Sequence, residues 1–256
     1  MKQLTAFIHK ELLESLRTGK VAILLILFIL LGILNPAIAR LTPWLLSAIS
    51  DSMSETGLSV AAIEVNALTS WAQFYKNIPI ALIVFLLAFS GTLTNEYQKG
   101  TLIPMITKGM ARWKIVAAKG AAIAAYWTIG YWLCYGITYG YNAYFWGNGN
   151  APGLFFSALG FYLIGLWLVS LILTLSAIAG SGSFVMLGVG GIFLIVYLLG
   201  LLPAAGEYLP VRLLHTSNLP VGAGRISDYA AAIAVTLLWT AVNAIAAAFL
   251  FDRKKI

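Results

Sequence analysis

Six apolar stretches, at roughly 21–41, 78–94, 115–145, 153–177, 183–202 and 229–251, alternate along the chain with polar or Pro/Gly-rich breaks. Each can cross a hydrocarbon layer about 30 Å thick at about 1.5 Å per residue. The second is short, and the third is long enough to tilt or to project beyond the bilayer. Backbone polar groups in lipid must be satisfied within the segment, and these are Leu/Ala/Ile-rich runs rather than alternating strands, so the pattern predicts helices and not barrel strands.

Residues 1–20 follow a different rhythm. Leu4, Phe7, Ile8, Leu12 and Leu16 recur at three- and four-residue intervals, with Lys2, Lys10, Glu14 and Arg17 on other faces. That spacing predicts an amphipathic helix lying in the membrane interface before the chain turns into the bilayer. The basic start, the apolar run and Ala37-Ile38-Ala39 also mimic a cleavable secretory signal. A twenty-residue amphipathic opening is foreign to such a signal.

Composition strengthens the membrane reading. Of the 256 residues, 61% are hydrophobic and only 10% charged, whereas a soluble domain carries about a quarter charged residues. The predicted organisation is an interfacial helix over 1–20 and a transmembrane domain over 21–256. A cytoplasmic loop covers 95–114, and outer segments cover 42–77 and 203–228, the former with a short helix around 58–74. With the N-terminus inside, twelve of the sixteen Lys and Arg fall on the cytoplasmic side and four outside. The positive-inside rule therefore predicts both ends in the cytoplasm, and the formal charge of +7 is an orientation signal rather than a nucleic-acid footprint.

Chemistry is scarce. Lys119 and Arg40 sit near span ends, where they can snorkel to the interface. No carboxylate or histidine lies mid-membrane, which argues against proton or sodium coupling. No GxGxxG follows a strand and no GxxxxGK[ST] loop exists. Gly180-Ser181-Gly182-Ser183 is not a GxSxG elbow. His9 and His215 fall on opposite sides of the predicted membrane, and the lone Cys134 excludes an internal disulfide. No catalytic residue, metal ligand or cofactor site is visible.

One loop stands apart: Asn95-Glu96-Tyr97-Gln98-Lys99-Gly100-Thr101-Leu102, continuing to Arg112-Trp113-Lys114. It resembles the E-x-x-x-G-T-L … R-W-K pattern of permease subunits in the type-2 ATP-binding-cassette (ABC) exporter family. The interfacial first helix, six spans and Pro-broken outer segment are similar to that family too. The resemblance implies a coupling helix that docks on a separate ATPase subunit. Glu96, Gly100, Thr101 and Leu102 would contribute to that contact, with Arg112 beginning the return into the membrane. It further implies ATP and Mg on the partner ATPase, a second permease copy or homologue enclosing the path, and a bacterial inner or plasma membrane location. The segment 203–228 resembles the re-entrant helices that cap such a path, and a surface loop folded against the outer ends is the alternative. For the 95–114 loop, an ordinary basic loop with lysines at lipid headgroups explains the charges but not the ordered motif.

Two further features lie on the third span. Trp127, Tyr131, Tyr135 and Tyr139 recur at four-residue spacing, with Thr128 and Thr138 nearby. The ladder suits contact with a hydrophobic or amphipathic substrate such as a lipid, drug or membrane-active peptide, and equally suits packing between helices. Gly136 and Gly140 form a small-xxx-small pair, expected to bring helices close within the subunit or across a dimer. The leading function is the non-catalytic permease of an ATP-driven exporter. The rival is a membrane scaffold or immunity protein that shields its host from a membrane-active peptide.

Overall fold

The computed structural model describes residues 2–53, 65–107 and 109–254. Among them the chain is all-helical and without strands. The helices are α1 (Lys2–Arg17), α2 (Lys20–Met53), α3 (Ala67–Phe89), α4 (Thr94–Gln98), α5 (Ile103–Thr107), α6 (Arg112–Phe145), α7 (Leu154–Ile178), α8 (Gly182–Leu199), α9 (Pro203–Gly206) and α10 (Ala230–Arg253). Two 3-10 segments, Pro210–Val221 and Ile226–Tyr229, lead into α10.

Five regions among the described residues are long and apolar enough to cross a membrane, centred on α2, α3, α7, α8 and α10. The sixth long helix, α6, has 34 residues. Its middle carries Tyr and Trp rather than Leu and Ile, which lowers its hydropathy without shortening it. The six predicted apolar stretches thus correspond to six long helices. Two of these run further than predicted. Helix α2 continues through Pro36 and Pro43 to Met53, and α3 begins at Ala67 with Pro79 inside it. Much of the predicted outer segment 42–77 is therefore helix. The predicted short helix at 58–74 falls partly outside the described residues, and from Ala67 onward it is the first half of α3. Asn66 starts α3 by accepting from the backbone N–H groups of Leu68 and Thr69 at 3.0 and 3.3 Å.

Pro36 is tolerated because another group replaces the lost backbone bond. Pro36 cannot donate to the carbonyl of Gly32, and Thr138 of α6 donates its hydroxyl to that oxygen instead, at 3.1 Å. Gly32 permits the approach: a Cβ there would lie 3.1 Å from the Cys134 carbonyl oxygen. The joint extends sideways, with the Asn35 amide donating to Thr138 Oγ1 at 3.0 Å and Asn77 of α3 donating to Asn35 Oδ1 at 2.7 Å. A buried polar knot thus fixes α2, α3 and α6 together.

Helix α7 is the most enclosed of the long helices; it packs against α10, α6, α8 and the first 3-10 segment. That segment, within the predicted outer piece 203–228, lies against α7. Leu213 is fully buried, and Thr216 donates to the Ser157 carbonyl at 2.9 Å. Tyr229 closes it from the other side by donating to the His215 carbonyl at 2.8 Å.

Candidate functional site at the coupling loop

The motif loop folds as two short helices joined by a tight turn. Gly100 ends α4 in the left-handed region, at φ +65°, where residues with a Cβ are strained. Its N–H bonds the Tyr97 carbonyl at 3.2 Å, and the Thr101 N–H reaches back to the Glu96 carbonyl at 3.1 Å. This pair of bonds is a Schellman termination. Leu102 follows with no exposed surface and pins the turn to the bundle. The G-T-L of the motif therefore has a local explanation: stop the helix, close the carbonyls, anchor the chain.

Three consecutive residues of α4 bind three different parts of the molecule. Glu96 faces inward, its side chain 12% exposed, with Oε1 at 3.0 Å from Lys119 Nζ of α6 and 3.5 Å from Lys10 Nζ of α1. The ring of Tyr97 lies under Lys254 Nζ, 4.4 Å from its centroid, just beyond the end of α10. Gln98 donates to the Gly180 carbonyl between α7 and α8 at 2.7 Å. Arg112 closes the arrangement at the start of α6 by donating to the Asp252 carbonyl at 3.0 Å and to the Lys254 carbonyl. Lys254 in turn donates to the Ala179 carbonyl at 2.6 Å, and its burial lowers its pKa below the usual lysine value.

Lys119 does not snorkel. Its side chain is 2% exposed, between Glu11 Oε2 at 2.7 Å and Glu96 at 3.0 Å. The partners come to the lysine: α1 folds back onto α6 and turns Glu11 inward on the face of Phe7, while α4 supplies Glu96. Leu16, placed by periodicity on the apolar face of α1, is 58% exposed. Lys10 borders the cluster, 2.6 Å from Glu14 and 3.2 Å from Glu11. Burial alone would lower the pKa of Lys10, but the hydrogen bond to Glu14 and the charges of Glu96 and Glu11 raise it overall. The bond to Lys10 holds Glu14 below the ordinary carboxylate value. A cavity of about 470 Å³ opens beside this cluster, with Lys20, Lys99 and Tyr126 also on its wall.

The remaining predicted residues divide. Trp127 and Tyr131 have no exposed surface; Trp127 Nε1 donates to the Tyr162 carbonyl at 3.1 Å and Tyr131 donates to the Ala158 carbonyl at 2.6 Å. Tyr135 packs on Trp71, with centroids 5.2 Å apart, and Tyr139 is 44% exposed. The lower half of the ladder is thus interhelical packing. Gly136 and Gly140 meet nothing among the described residues: a Cβ on either has open space within 4 Å. Of the two contacts expected of them, the described residues supply none within the subunit. The close approaches lie on other faces, at Gly130 against Phe28 and at Gly165 against Trp127, because spacing marks a small stripe without telling which way it points. Sequence reasoning missed Glu11, Asn35 and Asn77 as structural joints. Their signal was a polar group on an otherwise apolar helical face.

Five helices long and apolar enough to cross a membrane and no strands among the described residues, with a short-helix loop fastened to the bundle, define a multi-pass membrane protein. A protein-family profile described as ABC-2 family transporter protein matches residues 5–256, and the chain belongs to that family. It is a membrane permease component of a transporter. No curated protein matches the chain at a significant level.

Proposed function

We propose that this chain is the permease subunit of an ATP-driven exporter, and that the loop from α4 to the start of α6 couples it to a separate ATPase subunit. The observation that carries the proposal is the three-way attachment of α4. A rigid-body push on that loop acts on α1 and α6 through Glu96, on the α7–α8 turn through Gln98, and on the end of α10 through Tyr97. ATP and Mg act on the partner. The chain's own part is mechanical: to receive displacement and convert it into relative movement of helices. The arrangement proposed has six spans with both termini in the cytoplasm, so that α1, α4, α5 and the end of α10 share the ATPase side. A second copy or a homologous permease completes the path, and the substrate is hydrophobic or amphipathic, matching walls without mid-membrane charge.

The exposure of the loop residues supports a narrower set of proposed ATPase contacts. Glu96 and Leu102 face the bundle, whereas Thr101, Ile103, Pro104 and Thr107 face outward, with Ile103 51% exposed. Helix α5 is the docking edge, and Gly100 shapes the turn that presents it. The test is co-purification with the candidate ATPase, comparing the wild type with Ile103→Arg. Loss of association with an unchanged elution profile supports the reading. Association that ignores the substitution moves docking elsewhere on the loop. If the wild type binds no ATPase, the scaffold or immunity function replaces it.

A further inference from the structure

We infer that Lys119 is the positioning residue that passes displacement of the loop into the membrane helices, and that α1 moves with it as a second arm. The inference rests on the exporter reading above and adds to it the identity of the transmitting group. Lys119 lies two turns into α6 from Arg112, on a helix surrounded there by Ala118, Gly120 and Ala122. A lone ammonium there is costly unless paired. Its two partners come from different elements: Glu11 from α1 at 2.7 Å and Glu96 from α4 at 3.0 Å. Lys119 and Glu96 each join α1, α4 and α6 in a single contact set, and of the two only Lys119 stands on the long helix that must carry the displacement.

Stability alone is a poor account of this arrangement. A buried ion-pair cluster is often no more stable than apolar side chains of the same volume, and apolar residues fill every neighbouring position of α6. What the cluster supplies is direction and stiffness. Charge-assisted bonds hold their length under load better than apolar surfaces, which slide. The 470 Å³ cavity beside it leaves α1 and α4 room to shift against α6 without breaking the core formed by Phe89, Ile123 and Tyr126.

The test uses the reconstituted complex of permease and ATPase and reads substrate moved per ATP hydrolysed. The triple variant Glu11→Gln/Glu96→Gln/Lys119→Met removes the charges without leaving one unpaired. It is expected to assemble and hydrolyse ATP while transport per ATP falls at least tenfold. Lys119→Arg, which retains both pairs, is expected to keep most of the coupling. A triple variant that transports at the wild-type ratio overturns the inference, and so does a Lys119→Arg protein as uncoupled as the triple. If the triple variant fails to fold, Glu11→Leu alone removes the α1 acceptor of Lys119 and leaves the lysine paired with Glu96. That variant must then lower transport per ATP, and an unchanged ratio refutes the role of α1. Failure of the wild type to bind any ATPase is a separate result that removes the exporter reading itself.

Discussion

Tyr131 separates packing from transport on the aromatic ladder. Its ring is fully buried against Phe74, Trp127 and Tyr162 at centroid distances of 5.9, 5.2 and 5.8 Å, and its hydroxyl is bonded to the Ala158 carbonyl. Tyr131→Ala leaves a void of roughly 100 Å³, worth about 2.4 kcal/mol at about 24 cal/mol per Å³. The lost hydrogen bond adds about 1 kcal/mol. The sum lowers the unfolding midpoint by roughly 7–14 °C for a chain of this size. Tyr131→Phe retains the ring and loses only the smaller contribution, so it shifts by a few degrees. Tyr139→Ala, at a 44% exposed position, stays within about 0.5 kcal/mol of wild type. The assay is fluorescence-detected size exclusion after heating, with transport measured on the surviving protein. If Tyr131→Ala melts with the wild type yet loses transport, the ring lines a path and the packing argument is wrong.

Other consequences follow from the same contacts. A Cβ on Gly165 would lie 2.0 Å from Trp127 Cε2, so Gly165→Ala should cost about 1–3 kcal/mol by overpacking, read as a lowered melting midpoint. Gly136→Ala and Gly140→Ala meet nothing among the described residues; they should leave the detergent-solubilised monomer unchanged, and any loss confined to the assembled complex would place α6 at a contact with another chain. Asn35→Leu removes two bonds of the α2–α3–α6 knot and leaves Asn77 without its acceptor, which should cost about 1–3 kcal/mol in the same thermal assay. The ionic contacts of Lys10 and Glu14 on α1 should hold between about pH 5 and pH 10. The lowered Glu14 contributes fully above 4.5 and is lost as pH falls through its folded value, while the raised Lys10 contributes fully below 10.5 and is lost above it. Anisotropy of a fluorophore on Ala6→Cys reports this, and a transition near pH 7 would contradict it.

The long helices were legible because a hydrocarbon layer demands a run of apolar residues, and the chain has six such runs. Their ends were not legible where proline sits inside a helix. Pro43 lies just beyond the predicted end of the first stretch and Pro79 at the predicted start of the second, yet both helices run on through them. The 95–114 loop was legible as a motif, and its Gly100 turn follows from the residue type. The inward aim of Glu96 was not, since nothing local tells a carboxylate whether its partner lies in the bundle or on another protein. Lys119 was misread and Glu11 missed for the same reason. They are 108 residues apart, and only the return of α1 onto α6 makes each the answer to the other.

The placement of polar groups then follows from the solvent. In lipid, helices gain little from burying apolar surface against one another, so close packing and interhelical hydrogen bonds must hold them. Within the helical bundle this chain uses neutral joints: Asn35 with Asn77 and Thr138, and Ser170 with Thr174 and Asn243, where Asn243 donates to Ser170 Oγ at 3.2 Å and Thr174 donates to the Asn243 carbonyl at 2.8 Å. The ionic joint is kept for the end where α1, α4 and α6 meet, beside a cavity and next to the loop. Neutral bonds fix the body of the bundle at low desolvation cost. Among the described residues the ion pairs of Lys10 and Lys119 all lie in that cluster, the division that the proposed drive from one side would call for.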